Sequence, residues 1–184
     1  MRVISGTAKG RKLKAVPGDT TRPVTDRVKE ALFDIISDNV RDARFLDLFA
    51  GTGGVGIEAL SRGAHEAVFV EQARPALDTI RFNLTNTQLG ERGRIIRASA
   101  FDFLKREPRP YDYIYIAPPQ YKELWIATLK LIDAQPGWLA EDGEIVVQID
   151  PREYQPIALQ HFEPIDERRY GSTLLLFYAH RDRD

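Results

Sequence analysis

Hydrophobic positions change period along the chain, and the changes divide it into elements. An apolar run at residues 45–49 (Phe45 to Phe49) predicts a buried strand, and helical spacing at Val55, Ala59 and Leu60 predicts a helix from about 54 to 62, stopped by Gly63. The alternation then repeats: strands at 67–71, 94–98, 111–116 and 144–149, with helices at about 75–86, 101–105 and 122–133. A further helix is expected over 151–160. Residues 162–170 and 172–179 read as two strands with no helix between them, so they must pair antiparallel through a turn near Gly171. Upstream, Thr25 is placed as an N-cap and Asp26 in a first turn. Val28, Ala31, Leu32, Ile35 and Ile36 then form one apolar stripe, leaving Arg27, Lys29 and Asp34 outside it. Residues 2–16, with Gly6 and Gly10 bracketing a turn, predict a β-hairpin with a basic face.

Five strand–helix units followed by a hairpin define an α/β fold. The expected architecture is a Rossmann-like, mostly parallel seven-stranded sheet with a C-terminal antiparallel hairpin and helices on both faces. The 184 residues suit one domain, read as a basic N-terminal extension (1–24) on a core (25–184). Tyr111, Tyr113 and Tyr115 alternate along their strand and are expected to line one face of it. Trp125 and Trp138 read as packing anchors at the sheet edge.

Composition narrows the chemistry. There is no cysteine, so thiolate catalysis and disulfides are excluded, and three scattered histidines offer no metal-ligand spacing. No apolar run approaches a membrane span, and a cytoplasmic monomer is expected. The net charge of −1 conceals an asymmetry: residues 1–30 hold eight basic side chains against three acidic ones. A basic end on a near-neutral body fits either a polyanion-binding edge or a solvated surface.

The candidate site begins where the first strand breaks. Gly51, Gly53 and Gly56 are spaced G-x-G-x-x-G between a strand and a helix, the context in which that spacing signals a nucleotide-like cofactor. Glu71 follows Gly51 by twenty residues, at a strand end, where an acid can accept from two ribose hydroxyls. Asp47 lies inside the first strand, where a dehydrogenase usually keeps an apolar residue. An acid there could hold a cationic amino-acid end, which S-adenosylmethionine has and NAD lacks. The fourth strand ends in Pro118-Pro119, a stiff loop at the carboxyl edge of the sheet.

With these residues in view, the chain resembles the class I S-adenosylmethionine-dependent methyltransferases. Within them it is similar to the bacterial 16S ribosomal RNA guanine-N2 methyltransferases. The similarity rests on residues 21–33 (Thr21-Arg22-Pro23 through Phe33), the 46–60 turn, and Arg169-Tyr170-Gly171. It implies that Asp47, Phe49, Ala50, Gly51, Thr52 and Gly53 cradle the methionine part of S-adenosylmethionine. Glu71 would hold the ribose, and Gln72, Ala100 and Phe101 the adenine. Ala117, Pro118, Pro119, Gln120 and Tyr121 would form the base-binding loop. Lys9, Arg11, Lys12, Lys14, Arg22 and Arg27 would grip RNA, and the partner would be 16S rRNA in the small subunit or its assembly intermediate.

The chain departs from that family in one loop. Family members carry Asp-Pro-Pro followed by an aromatic residue, whereas this chain reads Ala117-Pro118-Pro119-Gln120-Tyr121, and Gln148 stands where relatives tend to have an acid. A carboxylate and the next carbonyl would accept the two protons of a poorly nucleophilic exocyclic amine, and Ala117 has no acceptor. Three readings therefore stay open: an active guanine-N2 methyltransferase with a substitute acceptor, a cofactor- and RNA-binding module with weak or lost catalysis, and a methyltransferase for another RNA, DNA or protein amine.

Overall fold

The structure, a computed structural model, describes residues 1–18, 24–120 and 122–181. Seven strands form one sheet: β1 (Arg44–Asp47), β2 (Glu66–Glu71), β3 (Gly93–Arg97), β4 (Tyr111–Ile116), β5 (Leu139–Ile149), β6 (Phe162–Tyr170) and β7 (Thr173–His180). Their order across the sheet is β3-β2-β1-β4-β5-β7-β6. The first five run parallel, and β7 pairs antiparallel with both β5 and β6. The strand order reverses between β1 and β4, the place where an open α/β sheet leaves a crevice at its carboxyl edge.

Five helices cover the sheet: α1 (Asp26–Ile36), α2 (Gly54–Ser61), α3 (Arg74–Asn86), α4 (Ala100–Phe103) and α5 (Leu124–Ala134). Apolar residues of α1, α2 and α3 pack in one cluster with Phe45, Phe69 and Tyr113. Those of α4 and α5 pack in a second with Leu46, Val68 and Ile114. Successive strand residues thus serve opposite layers, as the two-residue period of a strand requires. Trp125 and Trp138 are both buried in the second layer, and Trp138 lies 5.1 Å from Phe103.

Four expectations change. Residues 151–160 form one 3-10 turn, Pro151–Glu153, and then an irregular segment, because Pro156 removes a helical donor and pushes Gln155 out of the helical region. Tyr111 does not share a face with Tyr113 and Tyr115. The β4–β5 register shifts between Tyr111 and Tyr113, and Tyr111 stacks on Trp138 in the opposite layer. The N-terminal hairpin reduces to one bridge, Arg2 to Lys12, extended by the hydrogen bonds of Val3 N–H to Arg11 and Leu13 N–H to Met1.

The fourth change concerns Lys29, which is completely buried. Its ammonium donates to the Arg2 carbonyl at 2.6 Å and lies 3.5 Å from Glu58, itself completely buried. Burial lowers the pKa of Lys29, against the opposing pull of Glu58 and Asp26. Glu58 also accepts from the backbone of Ile4 at 2.8 Å and Ser5 at 3.1 Å, and from Arg62 at 2.9 Å. A buried acid with this many donors stays paired. It fixes the N-terminal arm to α1 and α2, and Val3, Ala8 and Leu13 join the first core layer. Thr25 caps α1 as expected, accepting from Val28 N–H.

Candidate functional site

The turn after β1 is built on backbone that only small residues adopt readily. Gly51 has φ +55° and Gly53 φ +79°, in the left-handed region. Gly56 serves a different end: a Cβ there would sit 2.4 Å from the Phe69 ring, so its absence lets α2 close onto β2. Glu71, at the end of β2, braces this turn. One carboxylate oxygen accepts from Gly51 N–H at 2.9 Å and the other from Gln72 and Ala73 N–H, each at 3.0 Å. The acid expected to hold a ribose therefore also shapes the cradle beneath it.

Around the turn opens a cleft of about 810 Å³, at the carboxyl ends of β1, β2, β4 and β5. Asp47, Phe49, Ala50, Gly51 and Thr52 line it, as do Glu71, Gln72, Ala100 and Phe101. Ala117, Pro118, Pro119 and Gln120, just after β4, line it as well. Gly53 shapes the turn without lining the cleft, and Tyr121 and Arg22 lie outside the described residues.

Asp47 is the unusual group. It is 1% exposed, and its Oδ1 has no hydrogen-bond partner. Burial raises its pKa to about 8, opposed by the Phe49 N–H and aided by the charge of Glu71. A buried carboxylate oxygen without a partner, in a residue that lines a cleft, could accept from a cationic donor of a ligand. Tyr115 sits opposite Asp47 on the neighbouring strand. Burial, with the Asp47 charge, pushes its hydroxyl well above the usual range, and it donates to Gln148 Oε1.

The basic residues are distributed differently. Lys9, Arg11, Lys12, Lys14 and Arg27 are exposed and lie outside the cleft lining. The turn that bears Lys9 meets the C-terminal end of α2, where Ala8 N–H donates to Ser61 Oγ at 2.9 Å, whereas Gly54 at the other end of α2 lines the cleft. Seven residue steps separate Gly54 from Ser61, a rise of about 10 Å. Asn83 of α3 joins the regions: it accepts from Lys14 N–H at 2.8 Å and donates to the carbonyls of Lys14 at 3.0 Å and Thr52 at 2.9 Å.

Some lining residues were not singled out from sequence. Met1, Val24, Thr25 and Lys29 reach the cleft, and Ser172 and Thr173 close it from the β6–β7 turn. Val24, Thr25 and Lys29 fall within residues 21–33 and Ser172 and Thr173 follow Tyr170-Gly171, so the resemblance marked both stretches without assigning them to the cleft. Among the described residues no cluster of metal-ligating side chains occurs, and no helix is long and apolar enough to cross a membrane.

Sheet order, glycine turn and buried strand acid together define a methyltransferase-type α/β domain. Comparison with known proteins gives the family: the chain belongs to the one described as conserved hypothetical protein 95, whose pattern matches residues 1–179. It is 40% identical over 185 residues to "Putative rRNA methyltransferase YlbH" of Bacillus subtilis, covering 98% of this chain and 100% of that one. It is 36% identical over 178 residues to "Ribosomal RNA small subunit methyltransferase D" of Escherichia coli, covering 97% and 89%. Among solved structures, "Putative methyltransferase yhhF from Escherichia coli" superposes with a TM-score of 0.87 at 32% identity, covering 98% of this chain and 97% of that one. An RNA methyltransferase from Salinibacter ruber, solved with S-adenosyl-L-homocysteine, shares the fold, with a TM-score of 0.67 at 13% identity over 89% of this chain and 99% of that one.

Proposed function

We propose that the protein transfers a methyl group from S-adenosylmethionine to the exocyclic N2 amine of a guanine in 16S rRNA, acting in the cytoplasm on the small ribosomal subunit or an assembly intermediate. The observation that carries this reading is the unsatisfied Asp47 carboxylate in a cleft that the Ala117–Gln120 loop also lines. Relatives named as ribosomal RNA methyltransferases support the substrate class.

Each wall has its own task. Asp47 takes the ammonium of the cofactor and, in doing so, gives up the proton it holds below pH 8. Glu71 keeps the glycine turn in shape with three backbone hydrogen bonds, and its remaining acceptor capacity faces the ribose hydroxyls. Gln72, Ala100 and Phe101 border the adenine side. Bound there, S-adenosylmethionine supplies an electrophilic methyl group on a sulfonium. The guanine amine has its lone pair delocalised into the ring, so acceptors for its protons are needed to turn that pair outward. The Pro118 carbonyl is one acceptor, and the amide oxygen of Gln120 is the second in place of the carboxylate that Ala117 lacks.

The test is methyl transfer from tritiated S-adenosylmethionine to small-subunit particles and to their extracted RNA. Label mapping to a guanine N2 supports the reading. Cofactor binding without label would favour the second reading, an RNA-binding module with lost catalysis, which the missing acceptor at Ala117 motivates. Label on a different amine would move the substrate instead.

A further inference from the structure

Phe82, on α3, is 51% exposed, more than any other large apolar side chain among the described residues. Single exposed apolar residues are ordinary on protein surfaces, but the surroundings of this one are specific. The Lys14 ammonium lies 5.2 Å from the ring centroid. Asn83, the next residue on the helix, holds Lys14 at both its N–H and its carbonyl, and Asn86, one turn on, donates to the Lys12 carbonyl at 3.1 Å. The segment Lys12–Lys14 is thus fastened alongside an aromatic ring left open to solvent. The nearest acid along the same face, Asp78, is engaged by Arg81 at 3.1 Å. At its other end α3 reaches the cleft, where Ala73 and Ala76 are part of the lining. Six residues of helix, a rise of about 9 Å, separate Ala76 from Phe82.

An open aromatic ring with one ammonium over it, and a second lysine whose backbone is fastened alongside, matches one chemistry well: a nucleotide whose base is free to stack and whose phosphate is negative. Base–aromatic stacking tolerates any sequence because every base has a π-face, and basic side chains beside the ring hold the backbone. A paired duplex offers the phosphates but not the free base face. We propose that Phe82, flanked by Lys12 and Lys14, is a stacking platform for an unpaired base of the RNA strand that leads into the cleft. The inference rests on the RNA-methyltransferase reading above and adds to it the state of the strand: it is single-stranded along α3, some 9 Å beyond the cleft wall.

The experiment is a titration of the whole protein with a fluorescent single-stranded RNA oligonucleotide and with its fully paired duplex, read by anisotropy. The expected result is single-strand affinity about tenfold weaker for Phe82→Ala and for Phe82→Leu, with duplex affinity unchanged in both. Phe82→Leu keeps an apolar side chain and loses only the ring, so wild-type affinity in that variant would overturn the proposal. In Phe82→Trp, affinity should return to the wild-type level and the emission of the introduced indole should be quenched by the single strand. Unchanged emission would overturn it equally, and the two native tryptophans are buried, which keeps the background constant. Melting temperature and S-adenosylhomocysteine affinity should match wild type in all three variants. Methyl transfer to small-subunit particles by the wild-type protein separates the two claims. Its absence sinks the enzymatic reading, whereas a Phe82-independent single-strand titration with transfer intact sinks only the platform.

Discussion

The two walls of the cleft are made in contrasting ways. On the cofactor side an acid lies buried with one oxygen unsatisfied, and a second acid is committed to three backbone donors around the glycine turn. On the acceptor side the loop offers no carboxylate at all: Ala117, two prolines and Gln120, with the Gln148 amide held by Tyr115 beside them. Ionisable acids thus lie on one side, and neutral amides with a rigid proline pair on the other. On the proposed reading, recognition of the cofactor is electrostatic, and recognition of the acceptor depends on shape and hydrogen-bond acceptors.

The contrast breaks most sharply at Asp47. Asp47→Asn should lower S-adenosylmethionine affinity on the order of a thousandfold, since it removes the buried carboxylate proposed to pair with the ammonium. Isothermal titration would show it, and a loss of only a few-fold would mean that the ammonium is held elsewhere. The same variant should be more stable without ligand. The folded state holds the Asp47 proton up to about pH 8 while the unfolded chain releases it near the ordinary aspartate value of 3.8, so this residue's contribution to stability falls as pH rises between those values. Asparagine has no proton to lose. The melting temperature should therefore exceed that of wild type by a few degrees at pH 8, with the gap closing towards pH 4.

On the other wall, Ala117→Asp should raise turnover on the order of a hundredfold if the missing acceptor limits the rate. Single-turnover methylation of small-subunit RNA measures this. An unchanged rate would show that Gln120 already fills the role. Next in size is a pH effect confined to the cofactor side. Binding an ammonium at Asp47 expels a proton below pH 8, so affinity should rise by up to about tenfold per pH unit towards pH 8 and then level off. A flat profile between pH 6 and 8 would detach the ammonium from Asp47. The smallest effect belongs to neither wall. Replacing Lys9, Arg11 and Lys12 with glutamine should weaken RNA binding about tenfold in low salt and flatten its salt dependence, with cofactor affinity untouched.

Much of this was legible in the sequence because it is local. The glycine turn, the strand acid Asp47 and Glu71 at its fixed spacing all follow from short-range backbone requirements, and all line or shape one cleft. The C-terminal hairpin was readable for the same reason: two apolar strands with only Gly171-Ser172 between them have one way to pair. What escaped depends on distant partners. Lys29 lies on the apolar stripe of α1, yet its charge marked it as exposed, and only Glu58 and the Arg2 carbonyl explain its burial. The register shift in β4–β5 that sends Tyr111 to the opposite layer leaves no periodic trace, because both layers accept an aromatic. Asn83 looked like any polar helix residue, and its three hydrogen bonds join segments 69 and 31 residues away.

The buried Glu58 has a consequence for how the molecule comes into being. The arm at residues 2–5 is synthesised well before its anchors: Ile4 and Ser5 wait for an acid 54 and 53 residues later, and Lys14 for an amide 69 residues later. Until α2 and α3 have both emerged, the segment has only its contacts with α1 to fold against. Long-range closures of this kind are slow to form and contribute late. The basic arm thus leaves the ribosome long before the acid and amide that set it in place, so a nascent chain stalled before α3 would lack those anchors.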